Sequence, residues 1–147
     1  MAGLARLRDF VVALTRLAEQ GAPEARWLEE GGARLRELVA EDDWLPEACA
    51  EAGPTYRQYL LHCDPLERFS VVSFVWGPGQ RTPVHDHTVW GLVGMLRGEE
   101  VSTEMRPAEG GAGPMRAGQG DRLRPGEVVA VSPRLGDIHV VENALAD

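Results

Sequence analysis

The chain has 147 residues, of which 44% are hydrophobic and 26% charged, proportions of a folded globular protein long enough to bury one core without staples. Its 15 Lys and Arg against 23 Asp and Glu leave a formal net charge of −8, which argues against a nucleic-acid-binding surface. The 2 cysteines, Cys49 and Cys63, are too few for a disulfide framework and predict a reducing cytoplasm as the compartment.

The first residues, MAGLARLRDFVVALTRL, are interrupted by Arg and Asp too often for a signal peptide or a membrane span. Leu4, Leu7, Val11, Leu14 and Ala18 recur at spacings of three and four, which predicts an amphipathic helix. Pro23 stands where a second helix starts, and Trp27, Leu28, Leu35 and Leu38 continue its pattern, with a break or kink expected at Gly31-Gly32. A short helical turn is predicted over Trp44 to Ala50. Residues 1–50 are therefore expected to form a helical cap.

The texture changes beyond that point. Tyr56 to Leu61, Phe69 to Trp76, Val89 to Leu96, Glu99 to Met105, Val128 to Ser132 and Ile138 to Glu142 are short, rich in Val and aromatics, and bounded by Gly or Pro. Arg97-Gly98 marks a tight turn, and Glu109 to Pro114 reads as a loop. Many short strands at close spacing predict an antiparallel sandwich or barrel. The expected architecture is a single mainly β domain, residues 1–147, in which a β-barrel over 55–147 carries the helical segment at one end. Trp76 and Trp90 are expected to be buried structural residues, each at the edge of a strand.

The chemistry lies in the histidines. His85 and His87 stand two apart in Pro83-Val84-His85-Asp86-His87, and in extended backbone residues two apart point to one side. Two imidazoles so placed can grip one metal ion, and His139 is the candidate third ligand. His62, in His62-Cys63-Asp64-Pro65, reads instead as an ordinary polar residue in a turn at a strand end. Gly79, His85, Asp86, His87 and Gly98 resemble the first motif of the cupin superfamily. Gly136, His139 and Asn143, with Pro133 upstream, resemble the second. Cupins usually add a glutamate ligand after the second histidine, where this chain has Trp90-Gly91-Leu92. Three neutral imidazoles leave a divalent ion its full charge and open positions, which suits an anionic chelating substrate and dioxygen. Three histidines and a water are also a catalytic zinc pattern. Another metal-dependent cupin, an isomerase or hydrolase, and a non-catalytic small-ligand binder are the alternatives that remain open.

Within the superfamily, Arg68 to Gly79, followed by Thr82-Pro83-Val84-His85-Asp86-His87-Thr88-Val89-Trp90-Gly91, resembles the cysteine dioxygenase family of thiol dioxygenases. Gly136 to Asn143 is similar to that family's second block. The resemblance implies Fe(II) held by His85, His87 and His139, and a small thiol oxidised by dioxygen to its sulfinic acid. It implies a small thiol and dioxygen as partners, with neither nucleic acid nor membrane involved. The mammalian-type members carry an arginine for the substrate carboxylate, where this chain has Gln58, or Arg57 on a one-residue shift. They also carry a crosslinked cysteine, where this chain has Gly91. Gln58 and Gly91 are closer to the bacterial branch that acts on 3-mercaptopropionate and in some members on cysteine. The family's Ser-x-His-x-Tyr relay follows the third histidine by some fifteen residues, and the sequence ends at Asp147, so that part of the barrel is expected to be missing from it.

Overall fold

In a computed structural model, the described residues are 2–111, 113, 115–136 and 138–145. Asp137 of the second motif, Ala112 and Pro114 of the glycine-rich loop, and Ala146 and Asp147 lie outside them.

Helix α1 (Ala2–Glu19) buries Phe10, Leu14 and Leu17. The buried stripe is thus rotated from the expected one: Leu7 and Ala18 pack on it, while Leu4 is 60% exposed. The second helical stretch runs without interruption through α2 (Glu24–Arg26), a π-helical turn (Trp27–Gly31) and α3 (Gly32–Val39). Gly31 and Gly32 keep right-handed helical dihedrals and do not break it. At Gly31 the lack of a side chain serves close packing instead, since a Cβ there would lie 3.3 Å from a methyl of Leu92. The π turn takes up the irregularity that a helix break would otherwise have made. Buried Trp44 donates its indole N–H to the Leu38 carbonyl at 2.9 Å, folding the following segment back on α3. A single 3-10 turn, Glu47–Cys49, is all that forms within the predicted 44–50 stretch.

Among the described residues seven strands follow: β1 (Arg57–Cys63), β2 (Ser70–Val75), β3 (Gly91–Gly94), β4 (Glu100–Arg106), β5 (Arg116–Leu123), β6 (Val128–Val131) and β7 (His139–Asn143). All pairings are antiparallel: β1 with β2, β3 with β6, and β5-β4-β7 in a third sheet. The expected sheet-rich domain with an N-terminal helical cap is present. The three sheets do not close into a barrel among the described residues; they form three separate hydrogen-bonded groups.

The core joins the helices to the first two sheets. Trp27 packs against Phe69 at 5.7 Å and against Trp90 at 5.4 Å between ring centroids. Trp90 is accordingly a core residue, though only partly buried. Trp76 lies apart from that core, half-buried against Tyr56 and Phe74 at centroid separations of 4.8 and 6.2 Å. Trp76 and Trp90, expected to be largely buried, are partly so, whereas Trp27 and Trp44 are each 8% exposed. Both cysteines are free thiols.

Candidate metal centre

The site is built at the edge of the third sheet. Residues Gln80 to His85 are too irregular to count as a strand, yet they run antiparallel along β7. The Thr82 amide donates to the Val141 carbonyl at 2.8 Å, and the Asn143 amide donates to the Gln80 carbonyl at 3.0 Å. The Val141 amide in turn donates to the Thr82 hydroxyl at 3.0 Å. His85 and His139 exchange both of their backbone hydrogen bonds, at 3.0 and 2.9 Å. Residues that face each other in this way put their side chains on one face of the sheet. Glycines set the approach on each side: Gly79 and Gly136 hold φ of 72° and 74°, the left-handed region that side chains disfavour.

This pairing brings the imidazoles together. The Nε2 atoms of His85 and His139 lie 3.1 Å apart. His87 closes a triangle, its ring centroid 5.1 Å from each of the other two, which are themselves 4.6 Å apart. One nitrogen from each of the three lies within 4.8 Å of the others. All three residues are half-buried, so the cluster is open to a small molecule. Two metal–nitrogen bonds of about 2.0–2.1 Å span up to about 4 Å between nitrogens, and the 3.1 Å separation falls inside that reach.

The outer nitrogens are held as well. His85 Nδ1–H donates to the Pro83 carbonyl at 2.9 Å, which leaves Nε2 as the electron-pair donor. His139 Nδ1 is hydrogen-bonded to the Ser102 hydroxyl, also at 2.9 Å. Such second partners orient ligating imidazoles and fix their tautomer. Ser102 stands on β4 opposite Val141, a diagonal neighbour of His139 on the same face. Sequence reading missed it, because a serine in a strand-like run carries no signal until the strand register is known.

No carboxylate joins the three imidazoles among the described residues. Glu104 is the nearest in register, directly opposite His139 in the β4–β7 pairing. Its oxygens are taken by Arg106 Nε and Nη2, each at 3.0 Å. Those hydrogen bonds hold its carboxyl below the usual range.

His62 stays outside the cluster. It lies within β1 rather than in a turn, past a bulge between Leu60 and His62, and its ring sits 5.4 Å from that of Phe69. Its Nε2 is buried with no hydrogen-bond partner among the described residues. Gln58 lies exposed on β1, opposite Phe74 of β2. Of the residues singled out from sequence, the structure thus gathers the three histidines.

No helix among the described residues is long and apolar enough to cross a membrane. No protein-family model matches the chain.

Proposed function

We propose that this chain is a cupin-type thiol dioxygenase that holds Fe(II) on His85, His87 and His139. It oxidises a small thiol, 3-mercaptopropionate or L-cysteine, to the sulfinic acid in the cytoplasm. The observation that carries this reading is the convergence of three imidazoles, with no carboxylate among them from the described residues. Fe(II) in such a set keeps its full double charge, so it holds a thiolate at neutral pH and makes dioxygen reactive toward it. The balance is one thiol and one dioxygen to one sulfinic acid, with both oxygen atoms on sulfur.

The protein's share is to bind and orient. The Pro83 carbonyl and the Ser102 hydroxyl hold His85 and His139 by their outer nitrogens. The substrate's carboxylate needs a second anchor, and on the sequence resemblance we assign that role to Gln58, exposed on β1. Its amide donates a neutral hydrogen bond, about half as strong as the charge-assisted bond of an arginine. A weak clamp favours a thiol that lacks the amine and whose carboxylate is held less rigidly. 3-Mercaptopropionate is therefore expected to have the higher kcat/KM.

Oxygen uptake and sulfinate formation by Fe(II)-loaded protein, with 3-mercaptopropionate, L-cysteine and cysteamine, test the reading. Stoichiometric uptake with a carboxylate-bearing thiol is expected. Gln58→Ala should raise KM for both carboxylates and leave cysteamine unaffected. Iron-loaded protein that consumes no oxygen with any of the three would remove the thiol dioxygenase assignment. A tenfold preference for L-cysteine, about 1.4 kcal/mol of transition-state discrimination, would remove Gln58 from its role.

A further inference from the structure

The sheet that carries His85 and His139 has a second face. Along β7, His139 and Val141 point to one side, and Val140 and Glu142 to the other. Arg81 faces Glu142 in an antiparallel bridge and so shares the side away from the histidines. On that side lies an open hollow of about 590 Å³. Val84, Met105 and Val140 give it an apolar lining, Thr103 a hydroxyl, and Arg81 and Glu142 two opposite charges. Its volume lies within the range of about 300–1,000 Å³ usual for small-molecule sites.

The two charges are uncommitted. The neighbouring hydrogen bonds run from the Thr82 amide to the Val141 carbonyl at 2.8 Å and from the Asn143 amide to the Gln80 carbonyl at 3.0 Å. Arg81 and Glu142 stand between them as a pair with no hydrogen bond of its own, the closest kind in an antiparallel ladder, with Cα atoms about 4.5 Å apart. Yet among the described residues neither side chain makes an ion pair or a hydrogen bond. The same face does close such a pair elsewhere: Arg122, opposite Val101, binds Glu99 at 2.6 Å.

We propose that this hollow binds a small zwitterion, an α-amino acid with an apolar side chain. The Arg81 guanidinium donates to the carboxylate in two-pronged fashion. The Glu142 carboxylate accepts from the ammonium group. The apolar side chain covers Val140, Met105 and Val84, the last of which is 44% exposed without it. The pair of charges also rejects close competitors, since Glu142 repels a plain carboxylate and Arg81 repels a plain amine. This site goes beyond the oxidation proposed above and requires no metal.

The test is titration of the isotope-labelled full chain with L-leucine, followed by nitrogen–proton correlation spectra. Saturable shifts are expected at the amides of Arg81, Val84, Thr103 and Val140. Two analogues carry one charge each: 4-methylpentanoate lacks the amine, and 3-methylbutylamine lacks the carboxylate. Each is expected to bind about 10–100-fold more weakly, the cost of losing one charged hydrogen-bonding partner. Arg81→Gln and Glu142→Gln, both at exposed positions, should weaken L-leucine by a similar factor while the rest of the spectrum stays in place. Absence of any saturable shift with L-leucine would overturn the proposal. So would equal affinity for L-leucine and its two analogues, a comparison that needs no variant. Unchanged binding in both variants would place the ligand elsewhere and overturn it as well. None of these outcomes touches the three-histidine centre, which lies on the other face.

Discussion

At the scale of single residues, one of the best-enclosed side chains among the described residues is a charged one. Asp64 is 2% exposed in the turn between β1 and β2. Its carboxylate accepts from Arg68 Nε at 2.8 Å and Nη2 at 2.9 Å, and from the Leu66 and Arg68 amides at 3.2 Å each. The Arg68 side-chain hydrogen bonds are the main cause that holds its pKa at about 2, against the opposing effect of burial. In the unfolded chain an aspartate titrates near 3.9, so between these values the unfolded state binds the extra proton. The stabilisation is complete above about pH 4 and is lost as the pH falls through the folded value. Asp64→Asn should therefore lower the urea midpoint at neutral pH and flatten its decline between about pH 5 and 2. Parallel declines in the two proteins would refute the role given to Asp64. Asp64-Pro65 was legible as a turn; its ion pair with a residue four positions on was not. The three histidines were legible because their spacing is itself the constraint. Ser102 was not, because only a register makes it a neighbour of His139.

Elements were legible where their periodicity was paid for by burial. Six of the strands match Val-rich or aromatic runs, each within a few residues. The seventh, β5, reads RAGQGDRL, with no apolar alternation, and all but its last residue are exposed. It is a strand because β4 offers it an edge, and its glycines permit the approach: a Cβ on Gly118 would lie 3.3 Å from the Glu104 carbonyl oxygen. The second helical stretch failed expectation for a related reason, since Gly31-Gly32 meets Leu92 of β3 rather than ending the helix. Gly94, two residues further along β3, makes the tightest contact of this interface. A Cβ there would lie 2.9 Å from both Leu35 Cγ and Val39 Cγ1. Gly94→Ala is therefore expected to overpack the helix–sheet junction and cost roughly 1–3 kcal/mol. Urea denaturation measures it, as a lower midpoint with an unchanged slope. A variant as stable as the wild type would mean that α3 and β3 slide apart at little cost.

On the scale of the whole molecule, the order of helical cap and sheets was legible from local spacing and composition, whereas sheet closure depends on pairings that no local pattern encodes. The three-histidine cluster bears directly on that long-range order. His85 and His139 are 54 residues apart in sequence, and the pairing that unites them ties the irregular 80–85 segment to β7 and through it to β4 and β5. The complete three-histidine site exists only in the folded chain. The unfolded chain retains the His85-x-His87 pair, a much weaker ligand. A metal that binds the folded state alone at one hundred times its Kd adds about 2.7 kcal/mol of stability, which for a domain of this size raises Tm by roughly 8 °C. Zn(II), which carries no redox chemistry of its own, is a suitable probe for this measurement. His139→Ala should lose most of the shift, because two imidazoles without the third do not distinguish the folded chain from the unfolded one. Gln58→Ala, which leaves all three imidazoles in place, should keep it in full. The rise must saturate at one ion per chain. An equal rise in His139→Ala would place the bound ion elsewhere on the protein, and no rise in the wild type would mean that the three imidazoles do not act as one site.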